Sequence, residues 1–289
     1  MTLFVHLEWG SMMIEILKSI VLGIIEGITE WLPVSSTGHM ILVDEFLKLD
    51  ASDGFKELFF VVIQFGAILS VPVLFFEKLN PFGKSKNSEQ KNKIISLWGK
   101  VIVGVAPAGI VGVLLDDWFD EHFYNYIVVA LALIIYGIVF VVIEKHQKRR
   151  NLDSFRVNDV YDITYNDAIK IGLFQVLSLI PGTSRSGSTI IGGMLSGVSR
   201  SASAEFSFFM AIPVMLGASL LKILKFVMAG LAMTSLEVWM LVVGIVVSFV
   251  VSLASIKFLM EFVRRHDFSL FGVYRIVLGA IVLMYFIFR

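Results

Sequence analysis

The sequence predicts an all-α polytopic membrane protein, with six transmembrane helices and two re-entrant helical hairpins arranged as an inverted repeat. Three observations carry this. Hydrophobic residues make up 57% of the 289-residue chain and charged residues 17%, too few charges to cover a soluble domain of that size. Six apolar runs each approach the roughly 20 residues of helix that cross a hydrocarbon core. Two further apolar stretches are broken by prolines, acids and hydroxyls, and they resemble each other.

Residues Met1–Ser11 read as a short surface segment or an extension of the natural start. They lack a basic n-region and a small-residue cleavage site, so no cleaved signal peptide is expected. The first interrupted stretch, Met12–Val43, holds Glu26, Glu30, Pro33, Ser35, Ser36 and His39. The span Leu58–Phe76 leads into a basic loop with Lys78, Lys84, Lys86, Lys91, Lys93 and Lys100. The span Leu97–Leu115 follows, where Gly104, Pro107, Gly109 and Gly112 predict close packing or a kink. An acidic loop (Asp116, Asp117, Asp120, Glu121) precedes the span Tyr126–Ile143, and Lys145, Lys148, Arg149, Arg150 and Arg156 come after it. The second interrupted stretch, Ala168–Leu195, holds Gln175, Pro181, Gly182 and Arg185. The spans Ala204–Lys222, Val238–Ile256 and Leu270–Phe288 complete the chain, with Lys257, Arg264 and Arg265 after the fifth span.

Basic loops stay in the cytoplasm. Alternation across the spans then places every basic loop inside, and puts Asp44–Glu57, Asp116–Glu121 and the C-terminus outside. The pattern holds only if each interrupted stretch enters and leaves on one face. Irregular backbone at membrane depth survives where protein or a water-filled cavity satisfies it, so both stretches point to a site.

The two stretches align. Gly23-Ile-Ile-Glu26 matches Gly172-Leu-Phe-Gln175, Pro33-Val-Ser-Ser36 matches Pro181-Gly-Thr-Ser184, and Gly66-Ala67 matches Gly217-Ala218, all at nearly one offset. A single integral membrane domain, 1–289, then divides into halves of about 12–145 and 165–289. Each half is a hairpin followed by three spans. An odd number of crossings inverts the second half, so the hairpin tips meet near the midplane, as in transporters built from inverted repeats.

Glu26 and Glu30, four apart, project from one helical face. Two carboxylates there repel unless a cation lies between them or one is protonated. An interfacial pair is the bland reading; a Mg²⁺ or Ca²⁺ site, which oxygen ligands suit, is the sharper one. Pro33 ends the helix near Leu32. Ser35 or Ser36 can cap the next helix, and Ser36 with His39 has the spacing of a nucleophile and general base. In Pro181-Gly-Thr-Ser-Arg-Ser-Gly-Ser-Thr189, glycines and a helix start offer backbone amides to an anion. Arg185 adds planar bidentate donors, or pairs with Glu26 or Glu30. This is equipment for phosphoryl transfer, where positioning and charge neutralisation dominate.

At these residues the chain resembles the undecaprenyl-diphosphate phosphatase family, also called the bacitracin-resistance phosphatases. The carriers are the E-x-x-x-E pattern, Glu26 to Glu30, and the P-G-x-S-R-S-x-x-T pattern, Pro181 to Thr189. The resemblance implies a multi-pass enzyme of the bacterial plasma membrane, dependent on Mg²⁺ or Ca²⁺, with its site toward the outer face. Such an enzyme hydrolyses undecaprenyl diphosphate to undecaprenyl phosphate and inorganic phosphate, recycling the carrier lipid for cell-wall synthesis and conferring bacitracin resistance. By motif position the catalytic residues are Glu26, Glu30, Ser36, His39 and Arg185, the first two also holding metal. Ser35, Thr37, Gly182, Thr183, Ser184, Ser186 and Thr189 bind substrate, and either Ser36 or a water attacks.

A carrier of phosphate or of a phosphorylated prenyl lipid is the rival, since inverted repeats and a midplane anion site suit it equally. Zero net charge predicts no pull toward nucleic acid. The absence of cysteine excludes disulfides and thiolate chemistry. The partners are thus the isoprenoid diphosphate and the bilayer; a homodimer is compatible with the chain. Gln64 and Glu205 are expected to line the cavity, and Arg200 and Arg275 to reach lipid headgroups.

Overall fold

The computed structural model describes residues 2–123, 125–149 and 155–288; the side chains of residues 2–9, 11, 116, 117, 120 and 149 lie outside that description. The first interrupted stretch folds as α1 (Thr2–Thr29) and α2 (Ser36–Leu47). Residues 30–34 form a turn between them, because the ring of Pro33 excludes helical backbone just before it. Helix α1 begins well before Met12, so the segment 2–11 continues the first limb of that stretch. The chain continues as α3 (Asp53–Ile68), α4 (Ser70–Leu74), α5 (Phe76–Leu79), α6 (Ser88–Phe123) and α7 (Tyr126–Arg149). The second interrupted stretch gives α8 (Tyr165–Val176), a 3₁₀ turn at Leu177–Leu179 and α9 (Arg185–Leu195). Helices α10 (Arg200–Met228), α11 (Ser235–Arg265) and α12 (Ser269–Ile287) follow.

All six apolar runs lie in helices long and apolar enough to cross a membrane: Asp53–Leu74, Ser88–Leu115, Tyr126–Lys148, Arg200–Met228, Ser235–Arg265 and Ser269–Ile287. The protein is an all-helical, multi-pass membrane protein, without strands among the described residues. One boundary differs from expectation. The acidic segment 116–121 is no loop, since α6 carries through it to Phe123. Trp118, Phe119, His122 and Phe123 stack on one another there and keep the helix wound past the charges. The side chains of Asp116, Asp117, Asp120 and Arg149, and all of Arg150, lie outside the described residues.

The helices pack in matched pairs: α1 on α11, α8 on α6, α7 on α12, and α3 on α10. Ion pairs sort the loops into two ends. Lys78 pairs with Glu205, Arg200 with Glu144, and Lys148 with Asp267 at the end predicted cytoplasmic. Lys222 pairs with Glu57, and Ser52 bonds to Glu237, at the other end. Arg200 is thus held by Glu144, donating from both Nε and Nη2. It does not reach out to headgroups, because the buried Glu144 carboxylate requires a counter-charge.

Gly104 meets α8 closely, as the glycines of that span predict, whereas Gly109 has open space beside it. At the α7–α12 contact, a Cβ on Gly137 would stand 2.6 Å from the Gly272 carbonyl oxygen. Gly137→Val is therefore expected to destabilise by about 2 kcal/mol through overpacking. Thermal unfolding in detergent checks this, with a Tm about 5 °C lower; an unchanged Tm would mean that the helices separate freely.

Candidate active site

The site lies where the breaks in the two interrupted stretches meet. Ser35 caps α2 at a φ of 72° and its hydroxyl accepts from the Gly38 amide. Ser184 caps α9 at a φ of 73° and accepts from the Gly187 amide. Both serines adopt a backbone that L side chains rarely take, with the same capping bond to a glycine three residues on. The sequence alignment paired Ser36 with Ser184. The caps instead pair Ser35 with Ser184, at the offset that relates Glu26 to Gln175.

Glu30 is the hub. Its Oε1 accepts from Arg185 Nη2 at 3.0 Å and its Oε2 from Ser36 Oγ at 2.8 Å. One carboxylate thus joins the first residues of α2 and α9, where helix dipoles favour negative charge. The pair is almost wholly buried, with 10% and 6% of the Arg185 and Glu30 side chains exposed. Arg185 Nη1 donates to the Ser207 carbonyl at 2.8 Å, and Thr189 Oγ1 donates to Ser207 Oγ at 2.7 Å. Ser186 Oγ donates to the Glu30 and Leu32 carbonyls, which seats the second break on the first. The guanidinium of Arg185 also lies 5.9 Å from the Trp31 ring centre. Of the two readings of Arg185, pairing with Glu30 is the one present, and the positive edge it keeps suits a phosphate oxygen.

Glu26 differs from its neighbour. It is 1% exposed, and no donor reaches its buried carboxylate oxygens, which have the Glu30 carboxyl beside them. The charged groups acting on it are Glu30 and Arg185. It lines a cavity of about 610 Å³ with Thr37, Met40, Asp44, Lys56 and Gln64. A buried carboxylate in this state is costly unless a cation lies beside it or a proton neutralises it. Mg²⁺ binds through one or two carboxylates plus substrate phosphates, so Glu26 fits as an anchoring ligand. Glu30, its expected co-ligand, is engaged by Arg185 and Ser36. Among the described residues no group of three acids, histidines or cysteines forms a cage.

His39 is not paired with Ser36. Its Nδ1 stands 2.7 Å from the Ser35 carbonyl and its Nε2 2.6 Å from the Tyr274 hydroxyl. Their spacing of three placed the two residues on one face, but Ser36 turns back to Glu30. Gln64 lines the Glu26 cavity as expected. Glu205 does not: it pairs with Lys78 beside a different cavity, because a basic loop lies within its reach.

Arg275, Ser207 and Tyr274 belong to the site though the sequence did not assign them to it; Gly182 was assigned. Arg275 is fully buried, and donates to the Pro33 carbonyl at 3.2 Å and to those of Gly182 and Thr183 at 2.9 Å each. It clamps both breaks together and does not extend to headgroups. An arginine inside an apolar run is a functional signal, and that signal was readable. Gly182 takes a φ of 90°, and any Cβ there would strike the Val129 carbonyl at 2.5 Å, so glycine is required at this turn. Ser207 and Tyr274 carried no local signal.

These contacts bring together Glu30, Ser36, Arg185, Ser186 and Thr189, with Glu26 and Thr37 at the adjoining cavity. Among known proteins, the family described as bacitracin resistance protein BacA matches residues 19–281. The chain is 57% identical over 274 residues to undecaprenyl-diphosphatase 1 of Clostridioides difficile (strain 630), covering 95% of this chain and 97% of that one. It is 56% identical over 275 residues to the undecaprenyl-diphosphatase of Desulfitobacterium hafniense, with 95% and 97% covered. It is 54% identical over 271 residues to that of Enterococcus faecalis, with 94% and 97% covered. A match that takes in both breaks, five whole spans, most of the sixth and Arg275 leaves one conclusion: the chain belongs to the bacitracin resistance protein BacA family.

Proposed function

We propose that this protein hydrolyses undecaprenyl diphosphate to undecaprenyl phosphate and inorganic phosphate in the bacterial plasma membrane, returning the carrier lipid to cell-wall synthesis and conferring bacitracin resistance. The observation that carries the reading is the Glu30 carboxylate held between Arg185 and Ser36; the names of the relatives agree with it.

The two breaks are read as re-entrant hairpin tips of an inverted repeat. The twin caps at Ser35 and Ser184 support this, as does the pairing of α1 with α11 and of α8 with α6. The site is read as open to the outer face. Its cavity reaches Asp44, Lys48 and Lys56, in or beside the segment that loop charges place outside.

Arg185 and the amides at the start of α9 hold the terminal phosphate, with Ser184 and Thr189 bracing that turn. Glu26 would hold a Mg²⁺ or Ca²⁺ ion, which when bound would neutralise diphosphate charge. Ser36 Oγ attacks the terminal phosphorus and passes its proton to Glu30 Oε2. The bond from that phosphorus to the bridging oxygen breaks, and undecaprenyl phosphate leaves. Water then cleaves the phosphoserine to release inorganic phosphate. In the alternative route a water held at the same place attacks directly.

The test is phosphate release from prenyl diphosphates by purified protein in detergent, with and without a chelator. Metal-dependent release is expected, and a phosphoserine trapped at position 36 would select the first route. Transport of the lipid without release would favour a carrier, which the paired hairpins also suit.

A further inference from the structure

Helix α12 sends two successive side chains onto the first break. Arg275 holds the Pro33 carbonyl. Tyr274 reaches past it, and its ring lies parallel to that of His39, with centres 5.6 Å apart and 6° between the planes. A carbonyl can only accept, so His39 Nδ1 donates its proton to the Ser35 oxygen at 2.7 Å. That leaves Nε2 as the acceptor for the Tyr274 hydroxyl at 2.6 Å. Both nitrogens of the imidazole are then engaged, and neither faces Ser36.

The carbonyl that His39 holds belongs to the residue with the strained φ of 72°. Such a backbone persists only when its surroundings over-determine it. Ser36 follows directly, and its hydroxyl must stay within 2.8 Å of Glu30. Rotation of the Ser35 peptide would swing Ser36 off that carboxylate. A chain of contacts therefore runs from Tyr274 through His39 and the Ser35 carbonyl to Ser36 and Glu30.

We infer that Tyr274 is a positioning residue for the reaction: its hydroxyl fixes the ring of His39, which pins the Ser35 turn and so aims Ser36. The inference rests on the phosphatase reading above. Tyr274 acts only through other side chains and touches no reacting atom. The Ser35 carbonyl fixes the imidazole tautomer, and the Tyr274 hydroxyl holds the ring through its second nitrogen.

The test uses full-length protein in detergent, labelled with ¹⁵N-histidine, and the variant Tyr274→Phe, which keeps the ring stack and removes one hydroxyl. The His39 signals are identified by their loss in His39→Ala. In wild-type protein these signals should show protonated Nδ1 and unprotonated, hydrogen-bonded Nε2; in Tyr274→Phe the Nε2 resonance should move. In the same preparation kcat should fall about tenfold, the worth of one well-placed hydrogen bond, with KM changed less than about twofold. Unaltered His39 nitrogen signals, or an unaltered kcat, would overturn the inference. A double-mutant cycle decides independently: Tyr274→Phe in a His39→Ala background should cost nothing more, and an additive loss would show that Tyr274 does not act through His39. Wild-type protein that released no phosphate would refute the phosphatase reading itself, while the nitrogen signals still reported whether the tyrosine holds His39 Nε2.

Discussion

Arg185→Ala is expected to lower phosphate release by at least about a thousandfold while the protein still inserts in the membrane. Two losses combine. Removing a preorganised donor from a developing phosphoryl charge costs about 10²–10³ in turnover. The same change strips Glu30 of the one cationic hydrogen-bond partner it has among the described residues, and breaking one side of a buried ion pair destabilises by about 3–5 kcal/mol. The freed carboxylate is expected to draw Ser36 out of line, because its remaining hydrogen bond is the one from the serine. Arg185→Lys should recover part of the stability, since a positive charge returns. It should recover little of the activity, because an ammonium cannot span both Glu30 and the Ser207 carbonyl with a planar fork. Adding Glu30→Gln to Arg185→Ala separates the effects, restoring Tm by removing the uncompensated charge while leaving turnover near zero. The measurements are phosphate release and Tm on purified variants. Turnover in Arg185→Ala within tenfold of wild type would place the phosphate elsewhere.

The contrast between Glu30 and Glu26 explains how far the sequence could be read. The six spans were legible because run length and loop charge depend on the bilayer, and the bilayer is the same wherever the helices pack. The motif residues were legible because acids, a guanidinium and hydroxyls in an apolar stretch have few roles besides a site. Which acid takes Arg185 was not legible. Glu26 and Glu30 share a helical face, and only the crossing of α9 over the first break decides between them. The pairing of Ser36 with His39 failed for a similar reason. Spacing along a helix says which side chains can meet, but Tyr274, 235 positions away, claims the imidazole first. The helix through 116–123 was missed because charges there read as a loop, and aromatic stacking keeps them wound. Arg275 was a different kind of miss. Its position inside the last apolar run was the signal, and snorkelling was the wrong explanation for it.

Arg275→Ala should be the second most damaging change, and its damage should appear in stability as well as in turnover. The guanidinium holds three backbone carbonyls, one from the first break and two from the second, and it is shut off from solvent. Each buried carbonyl left without a donor costs about 1–3 kcal/mol, partly relieved if water enters the space. A net loss of about 3–5 kcal/mol follows, read as a Tm about 10 °C lower. Turnover should fall about a hundredfold or more, because displacement of catalytic groups by about 1 Å is enough for that. Both breaks lose their common anchor, so Ser36 and Arg185 shift together. Arg275→Lys discriminates between charge and geometry. An ammonium on a shorter stem restores the charge but cannot reach both loops, so most of the turnover loss should persist. If Arg275→Lys were fully active, charge alone would matter and the clamp would be incidental. If Arg275→Ala kept wild-type turnover, the two breaks would hold each other through Ser186 and the Arg185–Glu30 pair, without help from α12.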